Sequence, residues 1–190
     1  MKITLLRHAE VQEDFLGKYN GHNNIGLSKK GYEQSLTLAK KYRNAGFDAV
    51  FCSDLLRAKE TLKPFRFACN PIFTPELREK FWGVHEGKSF EEICAQGIEY
   101  KNFEQWINAL DGERVEGFRQ RVQYFFYEVI FKQKAQNILV LTHSGVIKTL
   151  LSLVQNISLQ EAFATELPYA SCVILDKIAD TFIQIQKSPS

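Results

Sequence analysis

Two short apolar runs, Ile3 to Leu6 and Ile138 to Leu141, each lead within two residues to a histidine, His8 and His143. Runs of this length, bounded by polar residues, suit buried strands rather than helices. Two strands that both end on an imidazole constrain the fold strongly, because in open parallel sheets the carboxyl ends of the strands line the ligand crevice. Each histidine alone is as readily explained as satisfying a nearby carbonyl. The pair is better explained by one shared cavity.

The chain between the two runs reads as alternating strands and helices. After a polar stretch from Gly17 to Gly26, Ser28 offers an N-cap. Leu36, Ala39 and Tyr42 then recur at helical spacing until Gly46 supplies a stop. Phe47 to Cys52 reads as a strand, with Ser53-Asp54 expected to cap a helix running through Arg57 to about Phe67. Pro71 to Gly112 is irregular, with short helical patterns from Ser89 and Lys101. Glu116 to Phe131 carries an apolar stripe of Phe118, Val122, Phe125, Phe126 and Val129 that predicts one long amphipathic helix. Asn137 to Leu141 is the clearest buried strand, and Ser144-Gly145 opens a helix through Leu153. Ser171 to Asp176 and Thr181 to Gln186 read as closing strands, and Ser188 to Ser190 as a frayed tail. The expected fold class is α/β: a three-layer sandwich with a mainly parallel central sheet flanked by helices. Residues 1–190 read as one unit with a small insertion at about 71–112.

Composition narrows the function. A 45% hydrophobic share, with 15 Phe, supplies a sizeable core, and 24 Lys and Arg against 22 Asp and Glu leave a net charge of +2. That balance argues against nucleic acid as partner, and any positive site must be local. Cys52, Cys69, Cys94 and Cys172 show no paired metal-ligand spacing and read as reduced thiols. No apolar run approaches membrane-spanning length, and Arg7 interrupts the amino terminus too early for a signal peptide. The expectation is a cytoplasmic protein.

Arg7 adjoins His8, and Arg57 lies one turn into the helix after the second strand, at the crevice side of the sheet. Guanidinium groups stay charged and match phosphate oxygens, so two of them beside two imidazoles describe a phosphate site, the bland alternative being surface ion pairs. Helix N-termini near Ser53 and Ser144 would add backbone donors.

In chain order, Leu6-Arg7-His8-Ala9-Glu10, Tyr19-Asn20-Gly21, Gly26 to Gly31, Ser53 to Ala58, Leu77-Arg78-Glu79 with Gly83 and Glu86-Gly87, and Leu141 to Val146 resemble the motifs of the histidine phosphatases of the phosphoglycerate mutase-like superfamily. The resemblance implies a phosphomonoesterase that works through a phosphohistidine. His8 is then the nucleophile and Glu79 the proton donor. Arg7, Arg57, His143, Asn20, Gly21 and Ser144 bind the phosphoryl oxygens, and no metal or other cofactor takes part. The implied partner is a small phosphate ester.

The chain departs from the family pattern at Ala9 for the usual Gly, Asp14 for Asn, His85 for Trp, and Arg114 for Ser. Its length leaves no room for the longer insertion and tail of the mutases, which favours hydrolysis. Tyr19 to His22, Gly112-Glu113 leading into Phe118 to Val122, and Gln136 to Val140 look most like the α-ribazole phosphatase branch, implying α-ribazole 5′-phosphate as substrate. A broad sugar or nucleotide phosphatase, or a mutase-type enzyme, is the alternative. Readings from other classes are a phosphate-binding module without catalysis and a metal site drawn from His8, Glu10, His22, His85 or His143, whose spacing matches no familiar ligand pattern. The aromatic segment Tyr124 to Tyr127 reads as core at helical spacing and leaves a homodimer contact open.

Overall fold

The computed structural model describes residues 1–178 and 181–188. A mixed six-stranded sheet forms its middle layer, built from β1 (Lys2–Arg7), β2 (Ala49–Ser53), β3 (Ile72–Thr74), β4 (Asn137–Thr142), β5 (Cys172–Ile178) and β6 (Thr181–Ser188) in the order β3-β2-β4-β1-β5-β6. The β3-β2-β4-β1 portion is parallel, and β5 and β6 add antiparallel neighbours at one edge. Alternation along the central strands divides the core. Ile3, Leu5, Ile138 and Val140 face α5 (Val115–Tyr124) and α6 (Ser144–Gln155), whereas Leu6, Leu139 and Leu141 face α1 (Lys29–Lys41) and α2 (Leu56–Leu62). The expected three-layer α/β architecture is present.

Several local expectations are corrected. Leu36 points to solvent, and α1 buries Gly31, Ser35 and Leu38 instead, so the inward stripe is displaced from the apolar spacing. Ser53 and Asp54 do not cap α2, which ends at Leu62. The Leu56 N–H is received by Asn24 Oδ1, Asp54 takes a bidentate hydrogen bond from Arg78, and Ser53 turns into the site. The long helix expected to run to Phe131 ends at Tyr124 and widens into a π-helical turn over Phe125–Ile130. The Phe131 N–H reaches the Phe126 carbonyl five residues back. That spacing brings the Phe126 ring to 6.0 Å from the Phe131 ring, and both are buried, as are Phe125 and Ile130.

The irregular stretch contributes β3 at the sheet edge, then α3 (Phe90–Cys94) and α4 (Phe103–Ala109), capped by Ser89 and Asn102. Ile93, Trp106, Ile107 and Leu110 of this stretch form a small apolar cluster of their own with Trp82. A short α7 (Leu159–Ala164), opened by a capping box between Ser158 and Glu161, follows α6 without a clear forerunner in the sequence pattern. Within the expected carboxyl-terminal tail, Ser188 belongs to β6, and Pro189 and Ser190 lie outside the described residues.

Candidate active site

Register brings the two histidines together. β1 and β4 are parallel neighbours with Arg7 opposite Thr142, so His8 and His143 leave the sheet side by side, their ring centroids 5.0 Å apart. The next strand over places Ser53 at the same level, and its Oγ lies 2.8 Å from His143 Nε2.

The hydrogen bonds of His8 define its tautomer. Its Nδ1 lies 2.8 Å from the carbonyl of Ala9, which can only accept, so Nδ1 carries the proton and Nε2 keeps its lone pair. Burial, reinforced by Arg57 and Arg7, holds His8 well below the ordinary histidine range. The ring is therefore neutral at physiological pH. His143 is held low by burial and by Arg57, His8 and Arg7, so the ligand-free site keeps it neutral too, rather than cationic.

Both arginines reach this centre. Arg57 is fully buried on α2, and its fork donates to the carbonyls of Asn23 (2.9 Å), Gly21 (2.6 Å) and Asn20 (3.2 Å), while Arg7 donates to the Leu167 carbonyl. Burial lowers the pKa of Arg57 to about 10, opposed by Glu79 and Glu86, which leaves it charged. Among the described residues, Arg7 Nε, Arg57 Nε and His143 Nδ1 are buried polar atoms with no hydrogen-bond partner. Asn23 Oδ1, Asn137 Oδ1 and Thr149 Oγ1 share that condition outside the cavity lining, whereas the first three are donors that belong to the paired imidazoles and the two arginines beside them.

Glu79 approaches from the opposite wall. Its Oε2 accepts the Gly145 N–H at 2.8 Å in the first turn of α6, and its Oε1 accepts the Lys80 N–H at 2.9 Å. Gly145 permits this approach, because a Cβ there would stand 2.1 Å from Glu79 Oε1. A cavity of about 210 Å³ opens over these groups, lined by Arg7, His8, Asn20, Glu79 and Ser144 from the sequence reading; Arg57, His143 and Gly21 stand outside that lining. The Gly21 N–H is held by Glu86 Oε2, and a Cβ on Gly21 would collide with the Lys80 carbonyl at 2.2 Å. Asn20 Nδ2 donates to the Phe15 carbonyl at 2.6 Å.

Several lining residues had no motif to announce them. Tyr169 stacks on the Arg7 guanidinium, 4.0 Å from ring centroid to Cζ, and lies 5.5 Å from the His8 ring. It sits in a turn closed by Ala170, whose φ of 59° is left-handed. Lys18, Trp82, Lys148 and Phe163 line the cavity wall as well, together with Tyr19 from the Tyr19-Asn20-Gly21 motif. Glu86 organises that wall from beneath, accepting the N–H groups of Gly21, His22, Asn23 and Trp82.

The departures fall into place. Ala9 is absent from the positive-φ positions, so a methyl group is accommodated there. Asp14 and Arg114 are exposed outside the cavity lining, and buried His85 uses Nδ1 to accept the Asp111 N–H. Of the other groups weighed as metal ligands, Glu10 is held by Ser28 and Lys30, and His22 donates to the Glu79 carbonyl. Among the described residues, no group of three His, Cys, Asp or Glu side chains is placed to hold a metal ion, and no helix is long and apolar enough to cross a membrane.

Residues 3–186 match the histidine phosphatase superfamily, branch 1. An adenosylcobalamin/α-ribazole phosphatase of Escherichia coli is 33% identical over 160 residues, covering 80% of this chain and 78% of the relative, and its Salmonella typhimurium counterpart is 33% identical over 159 residues, with the same coverage. The crystal structure of an α-ribazole phosphatase from Shigella flexneri superimposes with a TM-score of 0.84 at 28% identity, covering 97% of this chain and 94% of that one. The chain is thus a phosphatase and belongs to branch 1 of the histidine phosphatase superfamily.

Proposed function

We propose that this enzyme hydrolyses α-ribazole 5′-phosphate through a phosphohistidine on His8. One observation carries the covalent route: a buried, neutral imidazole whose Nδ1 is fixed on the Ala9 carbonyl, leaving Nε2 as the nucleophilic atom. In the first step the Nε2 lone pair attacks phosphorus and the ester P–O bond breaks. The leaving oxygen takes a proton from Glu79. In the second step Glu79, now a carboxylate, takes a proton from water as that water attacks phosphorus, the P–N bond breaks, and inorganic phosphate departs.

Arg7 and Arg57, with His143, stabilise the charge that builds on the non-bridging oxygens, Arg7 Nε, Arg57 Nε and His143 Nδ1 being the donors without another partner. Asn20 and the amino end of α6 at Ser144 complete the phosphate environment, and Gly21 acts by letting Glu86 and the Lys80 carbonyl close on it. The choice of substrate rests on the names of the relatives and on an outer wall of Tyr19, Trp82, Phe163 and Tyr169, which suits a flat aromatic leaving group.

Steady-state phosphate release in chelator-containing buffer tests the reading, with α-ribazole 5′-phosphate set against p-nitrophenyl phosphate, 3-phosphoglycerate and sugar phosphates. The expected kcat/KM advantage for α-ribazole 5′-phosphate is at least ~100-fold, about 2.7 kcal/mol of differential transition-state binding. Equal rates across the panel would remove the substrate and keep the chemistry.

A further inference from the structure

Lys80 is the least expected charge in the molecule. It follows Glu79 directly, is 2% exposed, and has no carboxylate within ion-pair distance among the described residues. Its Nζ donates to the Phe81 carbonyl at 3.2 Å and sits 4.2 Å from the centroid of the Trp82 ring. Buried ammonium groups are costly unless something holds them, and here an aromatic face and one carbonyl do so.

Trp82 links this cation to the cavity. Its ring meets Tyr19 edge-on, with centroids 5.0 Å apart and planes at 83°, and Tyr19 Oη in turn accepts the Trp106 indole N–H at 2.7 Å. Trp82 and Tyr19 both line the cavity, whereas Lys80 does not. We infer that Lys80 is a positioning residue: its ammonium fixes the Trp82 indole against Tyr19 and so sets the wall on which the leaving group packs. The inference rests on the phosphatase reading of this cavity.

The charge of Lys80 is adjustable. Burial lowers its pKa to about 8, opposed in order by Glu113, Glu79, Asp111 and Glu86. The charged groups facing it are therefore Glu79 and Glu86 from its own loop, Asp111 and Glu113 from the loop between α4 and α5, and His85, whose pKa Lys80 helps to lower. As pH rises through about 8 the ammonium becomes an amine and the cation–π contact is lost. The wall then loosens in the direction of weaker binding.

The test compares wild type, Lys80→Met and Lys80→Arg between pH 6.5 and 9.5, using an aromatic ester, p-nitrophenyl phosphate, and a small aliphatic one, glycerol phosphate. For wild type, KM for the aromatic ester should rise about threefold to tenfold across pH 8, with kcat and the aliphatic KM nearly unchanged. Lys80→Met should show the high KM at every pH, and Lys80→Arg the low one. Tryptophan fluorescence of the ligand-free protein should show an inflection near pH 8 that Lys80→Met abolishes, a readout independent of turnover. An aromatic KM that stays flat across pH 8, together with a fluorescence trace without the inflection, overturns the role, even if Lys80→Met fails to fold. Failure to hydrolyse either ester would count against the phosphatase reading instead, with the fluorescence titration still deciding the contact.

Discussion

The two ends of the cavity are built by different means. The phosphate end rises from the centre of the sheet, where His8 and His143 continue paired strands and every strand residue from Ile138 to Thr142 is buried. The leaving-group end rises from loops, where one carboxylate, Glu86, receives the N–H groups of Gly21, His22, Asn23 and Trp82. A strand-borne group moves only if the core moves, whereas a loop held by one side chain shifts when that side chain changes. The proposed nucleophile accordingly belongs to the rigid end and selectivity to the adjustable one, while the proposed proton donor Glu79 reaches the site from the loop and is fixed by the Gly145 and Lys80 N–H groups.

The largest expected effect breaks the rigid end. His8→Ala should lower kcat by at least ~10³-fold while the thermal midpoint changes by only a few degrees, since the substitution removes the nitrogen proposed to attack phosphorus and little core. Glu79→Gln comes next. Hydrolysis of esters with poor leaving groups should fall about 100-fold and that of p-nitrophenyl phosphate less than about 10-fold. Equal losses on both would remove the proton-donor assignment.

Glu86→Ala attacks the loop-built end. Four backbone donors lose their acceptor, so unfolding free energy should drop by about 3 kcal/mol and KM should rise more than kcat falls, as denaturant titration and kinetics would show. Conversely, a kcat loss with KM unchanged would mean that this loop serves the chemistry.

Acid stability gives the smallest effect. His8 and His143 have lowered pKa values in the folded protein, so the unfolded chain binds more protons once pH falls below about 6.5. Stability is fully present above that point and is lost below it, down to the folded pKa values. Melting curves from pH 7.5 to 5 should show the midpoint falling, with a shallower slope in His8→Ala.

Much of the rigid end was legible because strand signals are local. Apolar runs ending in Arg7-His8 and Thr142-His143 fix both element type and the end at which the imidazoles emerge, and the βα alternation supplies the parallel register between them. The loop-built end was harder to read. Tyr169 and Trp82 reach the cavity from irregular backbone with no periodicity, Phe163 from the short α7, and the Gly21 N–H goes to a carboxylate sixty-five positions later in the chain. Ser53 and Asp54 have the composition of a cap, but His143 and Arg78 compete for them and win. Leu36 is exposed because helical spacing reports which residues share a stripe, not which stripe the sheet covers; the stripe from Phe118 to Phe126 is buried as expected, and only the change to π-helical bonding after Tyr124 left no mark in the spacing.

In the proposed reaction phosphate passes through His8 Nε2. Rapid mixing with substrate, alkaline quench to preserve phosphohistidine, and peptide mass spectrometry measure it directly. The expected result is an acid-labile phosphate on the peptide carrying His8, attached at Nε2, within the first turnover. Phosphate on His143, or full turnover with no phosphoenzyme captured at any time, would overturn that route.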